Sequence, residues 1–150
     1  MKKIIFIFFL IFTSKVQSII YPIEPKYASL KKDRVYLRWN ASFEAPIKFI
    51  YQKKNLPILI IDKFDNWRKI SDFEGDEGWI HISMISNKNT FINKKEQNLL
   101  KYKNDKIITA IIKEGVIGKI IMCEEKLCKV KIKPYRGWIE KKYLWGIKKN

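Results

Sequence analysis

The feature that most constrains the fold is an internal repeat with a period near 60 residues. Residues 53–61 align with residues 113–121 at an offset of 60, and residues 67–70 align with residues 127–130 at the same offset. A Gly-Trp-Ile sequence then recurs at an offset of 59: Gly78, Trp79 and Ile80 in the first copy, Gly137, Trp138 and Ile139 in the second. Two copies of this length predict a tandem pair of domains, because solenoids use shorter and more numerous units.

The runs within each copy are short, rich in β-branched residues and bounded by turn signals, which is typical of an all-β fold. Val35 and Leu37 alternate with Tyr36 and Arg38, the period of two that half-buried strands show. Residues 56–61 are nearly all apolar, as in a covered central strand. About five such strands closing on themselves predict a small barrel in each copy.

The amino terminus has the pattern of a secretory signal peptide over residues 1–18, with cleavage between Ser18 and Ile19. A short positive head precedes the apolar run of residues 4–12, which is about half the ~20 residues that a membrane span needs. The alternative interpretation is an uncleaved anchor. We expect a periplasmic or secreted protein that is soluble after cleavage.

The chain is strongly basic, with 31 Lys+Arg against 15 Asp+Glu and a formal net charge of +16. Three of those lysines leave with the signal peptide, so the mature chain keeps a net charge of +13. Such a charge favours an acidic partner. However, 27 Lys and 27 Ile against 4 Arg are also typical of A/T-rich coding, and the two explanations stay open. The 47% hydrophobic share excludes intrinsic disorder.

Cys123 and Cys128 enclose four residues, a spacing that fits a tight hairpin with the two cysteines facing each other. Facing strand positions lie within the distance range of a disulfide, and export places them in an oxidising compartment. We therefore predict a Cys123–Cys128 disulfide. A zinc site would need two more ligands, and no base lies beside either thiol in the sequence.

The strand and turn sequence from Val35 to His81, with its Trp67 before a hairpin and its Gly78-Trp79-Ile80 after, resembles a bacterial SH3 (SH3b) domain. The second half, with its cysteine pair and its ending at residues 144–146, resembles the degenerate second copy of exported SH3-like proteins of alphaproteobacteria. The resemblance implies two tandem SH3-like barrels that act as a binding module of the cell envelope. It implies peptidoglycan or peptide ligands and no catalysis.

We expect a first barrel at residues 19–92, a linker at 93–106, where lysine and asparagine are frequent, and a second, degenerate barrel at 107–150. Domains of this size are marginally stable alone. The two barrels should therefore pack together or depend on the disulfide.

The candidate ligand-binding residues surround the first-strand turn, where this chain has Trp39 instead of the family's Gly-Pro turn. An exposed Trp39 indole would stack on a sugar or peptide face. Trp67 beside its turn either lines the groove or is buried. The Gly-Trp pairs are predicted to be structural, with both tryptophans in the core, and His81 is also interpreted as structural. The candidate site comprises Arg38, Trp39, Phe43, Tyr51 and Trp67, and the structural set comprises Gly78, Trp79, Gly137 and Trp138.

The sequence predicts no enzyme, no cofactor and no metal site. The carboxylates of residues 72–77 have the composition of a solvated turn, and their spacing does not match a calcium-binding loop. A glycosidase would need two carboxylates at a fixed separation across a cleft, which a barrel of this size does not offer.

Two binding functions remain. In the first, the aromatic residues near Trp39 engage peptidoglycan or a peptide of an envelope partner. In the second, the protein is a basic adaptor held to anionic envelope polymers or lipid headgroups, with strongly salt-dependent affinity. Nucleic acid fits less well because the lysines lack interleaved aromatic residues. The lysines considered for the second function are Lys94, Lys95, Lys101, Lys103, Lys141, Lys142, Lys148 and Lys149.

Overall fold

The computed structural model describes residues 23–104 and 106–148, which form fourteen short strands in two sheets of seven. The predicted signal peptide and the Ser18–Ile19 cleavage site lie outside the described residues. No helix within that part of the chain has the length and apolar character needed to cross a membrane. The all-β prediction is confirmed.

The two sheets have the same strand order, which confirms the tandem repeat. The first sheet runs β3-β2-β6-β5-β4-β1-β7 and the second runs β10-β9-β13-β12-β11-β8-β14 once the strands are numbered along the chain. The strands of the first barrel are β1 (Lys26–Leu30), β2 (Val35–Arg38), β3 (Ile47–Tyr51), β4 (Pro57–Phe64), β5 (Trp67–Ser71), β6 (Glu77–His81) and β7 (Ile85–Ser86). Those of the second are β8 (Thr90–Asn93), β9 (Gln97–Leu100), β10 (Ile108–Ile112), β11 (Ile117–Cys123), β12 (Leu127–Ile132), β13 (Tyr135–Glu140) and β14 (Leu144–Trp145). Single-turn 3-10 helices, Ile82–Met84 and Lys141–Tyr143, precede β7 and β14.

The turns that precede β4 and β11 have the same backbone conformation in the two barrels. Asn55 and Gly115, 60 positions apart, both have positive φ angles, 63° and 77°. Their N–H groups donate to the carbonyls of Leu30 (2.9 Å) and Asn93 (2.8 Å), which end β1 and β8. Asparagine and glycine tolerate this left-handed conformation better than other residues, which explains their presence at the two equivalent turns.

The predicted linker at residues 93–106 is wrong, because it contains β9 and the last residue of β8. Both strands belong to the second sheet, so the second barrel begins at Thr90 and the connection between the barrels is residues 87–89. Two polar residues of this stretch, Asn93 and Gln97, are buried and hydrogen-bonded. Gln97 Nε2 donates to Asn93 Oδ1 (2.7 Å), and Asn93 Nδ2 donates to the Ile112 carbonyl (3.1 Å). Buried amides with satisfied hydrogen bonds are compatible with a barrel interior.

Each barrel has its own apolar core, and the second barrel also contributes to the first core. Ile92 belongs to the buried cluster of the first barrel, and Ile117 and Trp145 pack against that cluster. The Trp145 ring lies edge-on to Tyr27, with 5.0 Å between ring centroids. The expectation that two small barrels would pack together is therefore confirmed.

The predicted disulfide is confirmed. Cys123 and Cys128 are register partners of β11 and β12, their Cα atoms are 4.0 Å apart, and their sulfur atoms are bonded. Cys128 is fully buried in the core of the second barrel, where it packs beside Val130 and Ile139. The bridge thus closes a hairpin and also fills part of a core.

The prediction that Trp79 and Trp138 fill the cores is wrong, because both side chains are half-exposed. Alternation along a strand places Ile80 and Ile139 in the cores instead, and the tryptophans point to the opposite face. Their glycines are structural as predicted, since a Cβ at Gly78 would lie 2.6 Å from the Leu37 side chain.

Candidate functional site

The outer surface of β5 and β6 carries the side chains that face away from the first core. Trp67 pairs with His81, and Lys69 pairs with Trp79, across these two strands. Ile80, between the two β6 residues, is fully buried. A face opposite to the core of a small barrel is available for ligands unless a loop covers it.

The loop between β2 and β3, residues 39–46, lies over this surface. The Phe43 ring contacts Trp67 edge-on, with 4.9 Å between centroids, and lies 5.1 Å from the His81 ring. Trp67 is 7% exposed beneath it, whereas Phe43 itself is 62% exposed. The loop therefore presents the Phe43 ring to solvent and supports it on two other rings.

Backbone and side-chain hydrogen bonds hold the loop closed. Trp39 N–H donates to the Pro46 carbonyl (3.1 Å), which joins the two ends of the loop. Arg38 Nη1 donates to the Ala45 carbonyl (2.7 Å). Arg38 thus positions the loop, and it also carries a cation beneath it.

A carboxylate at the tip of the loop is kept ionised. Ser42 hydrogen-bonds to the Glu44 carboxylate, and the Glu44 N–H donates to Ser42 Oγ (3.1 Å). The hydrogen bond from Ser42, together with a backbone hydrogen bond and the charge of Arg38, lowers the pKa of Glu44. The loop therefore has a fixed negative group beside its aromatic residues at neutral pH.

Trp39 is 58% exposed, in agreement with its predicted exposure, and a lysine lies over its ring. Lys48 Nζ is 5.1 Å from the ring centroid. The same Nζ atom lies 3.1 Å from Asp76 Oδ1 and 3.2 Å from the Glu77 carbonyl, which fix its position. The cation is attracted to the negative face of the indole, so Lys48 orients Trp39. In the sequence, Lys48 interrupts the otherwise apolar run of residues 47–51, and this interruption is the signal that could have identified it.

The two exposed rings are associated with opposite ends of β6. Lys48, which lies over Trp39, contacts Glu77 at the first residue of the strand, and Phe43 contacts His81 at the last. Four strand steps separate these ends, roughly 13 Å at ~3.3 Å per residue. We call Trp39, Phe43, Trp67 and His81 the aromatic face.

The structure does not bring Tyr51 to the aromatic face. Its side chain is buried, and its hydroxyl donates to Asp72 Oδ2 (2.9 Å). Burial, with the negative charge of Asp72, raises the pKa of Tyr51 far above its usual value. Tyr51 is therefore a structural residue, contrary to the prediction. Trp67 is also covered, so of the predicted set only Trp39 and Phe43 offer exposed rings, with Arg38 below them.

His81, which the sequence indicates to be structural, contacts the 3-10 helix that follows it. Its Nδ1 atom lies 2.8 Å from Ser83 Oγ and accepts a hydrogen bond from the Ser83 N–H (3.4 Å). The imidazole therefore caps the 3-10 helix that follows β6, and it supports Phe43 at the same time.

The carboxylates of Asp72, Glu74 and Asp76 lie within 4.8 Å of one another, but they are engaged in a turn. Asp72 Oδ1 accepts the N–H groups of Glu74 (3.0 Å) and Asp76 (2.9 Å), and its Oδ2 accepts the Tyr51 hydroxyl. Asp76 is paired with Lys48. The Asp72 and Asp76 carboxylates are thus used by the local fold.

The second barrel lacks the aromatic cover. Leu127 and Glu140 stand where the first barrel has Trp67 and His81. The corresponding surface is an open cavity of about 430 Å³ beside Trp138. Within the described residues, the aromatic face is therefore a property of the first barrel.

Local contacts engage several of the lysines proposed for electrostatic attachment. Lys103 and Lys142 are paired with neighbouring carboxylates, and Lys148 donates to a backbone carbonyl at 2.7 Å. Lys149 lies outside the described residues. The others are spread over the loops that flank β9 and the turn that precedes β14.

The shared strand order and the tandem repeat define a pair of small SH3-type barrels, of which the first carries the aromatic face. The chain belongs to the bacterial SH3 domain family, which matches it over residues 31–87 and 94–146. This confirms the family resemblance of the sequence.

No curated protein matches the chain. Among solved structures it is similar to NlpC2 from Trichomonas vaginalis, with 11% identity and a TM-score of 0.37 over 81% of this chain and 48% of that one. NlpC1 from the same organism is similar with 11% identity and a TM-score of 0.38, over 81% of this chain and 45% of that one. The chain spans less than half the length of either protein.

Proposed function

We propose that this protein is a non-catalytic, exported binding module of the bacterial cell envelope. Its aromatic face would engage peptidoglycan or a peptide of an envelope partner. The observation that carries the proposal is the pair of exposed rings, Trp39 and Phe43, on a loop whose conformation is fixed by hydrogen bonds and by buried aromatic support.

Exposed aromatic rings on a rigid support are suited to binding. Trp and Tyr-sized rings dominate recognition surfaces because they bury a large area with few rotatable bonds. Here the Arg38 hydrogen bond and the Trp67 contact remove loop freedom before a ligand arrives. Less ordering is then needed on binding.

The two rings belong to one loop, with Trp39 at its start and Phe43 four positions further on, and both are exposed. Lys48 lies over Trp39 but is ion-paired with Asp76, and Glu44 lies on the same loop, so the proposed contact depends on the rings rather than on net positive charge.

Two features support export. Bacterial SH3 domains and disulfides are both typical of exported proteins, and this chain has both. The sequence pattern of residues 1–18 is typical of a signal peptide, and we propose the periplasm as the site of action.

The absence of catalysis is proposed from the state of the reactive groups in the described residues. Both cysteines are in the disulfide, His81 caps a helix, and the Asp72 and Asp76 carboxylates accept hydrogen bonds. The hydroxyl beside His81, that of Ser83 (2.8 Å), belongs to the same helix cap.

The test is co-sedimentation of the mature chain, beginning at Ile19, with purified peptidoglycan sacculi over a range of salt concentrations. Trp39→Ala should weaken binding by about tenfold or more, the size expected for an aromatic anchor. Tyr102→Ala is the matched control, because Tyr102 is 57% exposed but lies in the second barrel. It should leave binding unchanged.

The alternative function would give a different result. A basic adaptor would lose affinity steeply with salt, and Trp39→Ala would behave like Tyr102→Ala. That outcome would overturn the proposed role of the aromatic face.

A further inference from the structure

The first barrel has a second concave surface, away from the aromatic face, that is lined by positive charge. This cavity of about 960 Å³ lies between the N-terminal segment, the β4–β5 hairpin and the C-terminal end of the described chain. Its lining includes four cationic side chains and a single carboxylate, that of Glu24. The four cations are Lys26, Lys63, Arg68 and Lys148.

Two of these cations face each other directly. Lys63 and Arg68 are register partners across β4 and β5. The equivalent partners in the second barrel, at an offset of 60, are Cys123 and Cys128. Like charges at facing positions destabilise a sheet, whereas the disulfide stabilises its hairpin. The first barrel therefore keeps an unfavourable pair at a position where the second barrel has a covalent bond.

The cavity cations have no ion-pair partner within residues 23–104 and 106–148. The ion pairs in that part of the chain engage other lysines: Lys48, Lys69, Lys103, Lys113 and Lys142. The field of the cavity is therefore not neutralised by those pairs, and an anion would relieve the repulsion between its walls.

Two of the cations are held in place by backbone carbonyls. Arg68 Nη1 donates to the carbonyls of Asp65 (2.8 Å) and Trp67 (2.7 Å). Lys148 Nζ donates to the carbonyl of Asn87 (2.7 Å). A guanidinium has five N–H donors, so these contacts orient Arg68 without using all of its donors. A carbonyl is uncharged, so these contacts do not neutralise the positive charge of Arg68 as a carboxylate would.

We propose that this cavity binds the phosphate group of an envelope ligand. A phosphate carries more charge than a single carboxylate, and a planar arginine fork beside point-like lysines suits its several oxygens. The apolar part of the wall, which includes Tyr27 and Leu59, would contact the remainder of the ligand. The site is separate from the aromatic face and gives the protein a second point of attachment.

The first experiment measures binding of pyrophosphate to the mature chain by calorimetry at low salt. The double variant Lys63→Gln/Arg68→Gln should bind about tenfold or more weakly, because it loses charge-assisted hydrogen bonds. The control, Lys119→Gln/Lys126→Gln, removes the same charge from exposed positions of the second barrel and should change affinity less than twofold. No binding by the wild type, or equal weakening in both variants, would overturn the proposal.

Stability measurements separate binding from folding. Since the facing cations repel each other, the double variant should melt at the same temperature as the wild type or higher. If the double variant melts at a lower temperature, the single variant Lys26→Gln is used for the binding measurement instead. Lys26 lies at an exposed position of the cavity, and its loss should still weaken pyrophosphate binding. An unchanged affinity in Lys26→Gln would then contradict the site.

Vesicles distinguish the two sources of phosphate. Co-sedimentation with phosphatidic acid vesicles but not with phosphatidylcholine vesicles, lost in the double variant, would identify a lipid headgroup. Pyrophosphate binding without vesicle binding would identify a soluble phosphate ester. Trp39→Ala should leave both measurements unchanged, so the result is independent of the aromatic face.

Discussion

Replacing Trp145 with alanine should uncouple the two barrels. This residue ends the last strand of the second barrel, but its ring packs against the core of the first. It lies edge-on to Tyr27 at 5.0 Å and to Phe73 at 6.5 Å. The equivalent position of the first barrel is Ser86, so the indole is not required by the barrel fold itself. Its place in the sequence is best explained by the contact between barrels.

The size of the effect follows from these contacts. Each edge-on aromatic pair contributes about 0.5–1.5 kcal/mol beyond the area it buries. A fully buried tryptophan costs ~3–5 kcal/mol when it is truncated to alanine, and Trp145 is half-buried. We therefore expect Trp145→Ala to lower the free energy of unfolding by about 3 kcal/mol. That is a large share of the ~5–15 kcal/mol that stabilises a typical domain.

Urea unfolding followed by far-ultraviolet circular dichroism measures the coupling. The wild type should unfold in one transition, and Trp145→Ala in two, with the first barrel destabilised. Trp138→Ala is the matched control, because Trp138 is also half-buried but contributes nothing to the first core. A single transition in Trp145→Ala, shifted no further than in Trp138→Ala, would refute the reasoning.

Three further changes test the structure locally. Gly137→Ala should lower stability by about 3 kcal/mol in urea titrations, because its Cβ would lie 2.4 Å from a backbone carbonyl oxygen. The control is Gly75→Ala, since Gly75 has a φ of 92° but open space around it, and this variant should lose only about 1 kcal/mol. A loss at Gly137 no larger than at Gly75 would contradict the close packing. Tyr51→Phe should be less stable than the wild type at pH 7. Above pH ~10 the wild type should lose more stability than the variant, because the buried Tyr51, with its raised pKa, favours folding only while the unfolded tyrosine is protonated. The control Tyr36→Phe, at an exposed ring, should follow the wild-type pH profile. Reduction of the disulfide should lower the stability of the second barrel by roughly 2 kcal/mol in the same titrations. An unchanged urea midpoint would mean that the bridge does not stabilise the barrel.

The period-two alternation and the turn residues predicted the strands well, because both reflect burial on one face of a sheet. The repeat predicted the tandem architecture for the same reason, since equivalent backbone turns need equivalent residues such as Asn55 and Gly115. Composition was misleading at residues 93–106. Asn93 and Gln97 are polar, yet they are buried, because their amides form hydrogen bonds that a sequence does not display.

The candidate site was predicted only in part. The exposure of Trp39 followed from the polar turn beside it. The burial of Trp67 did not, because it depends on Phe43 folding back across 24 positions of sequence. Tyr51 was misplaced because its partner, Asp72, lies in a distant turn. Contacts between loops and strands far apart in the chain decide such positions, and neither periodicity nor local composition encodes them.

The most direct test of the central claim is a nuclear magnetic resonance titration of the mature chain with soluble peptidoglycan fragments. The account predicts that shifts concentrate in the loop of residues 39–46, including the Trp39 indole N–H, and that they persist at moderate salt. Shifts confined to the second barrel, or spread over the lysines and abolished by salt, would contradict binding at the aromatic face.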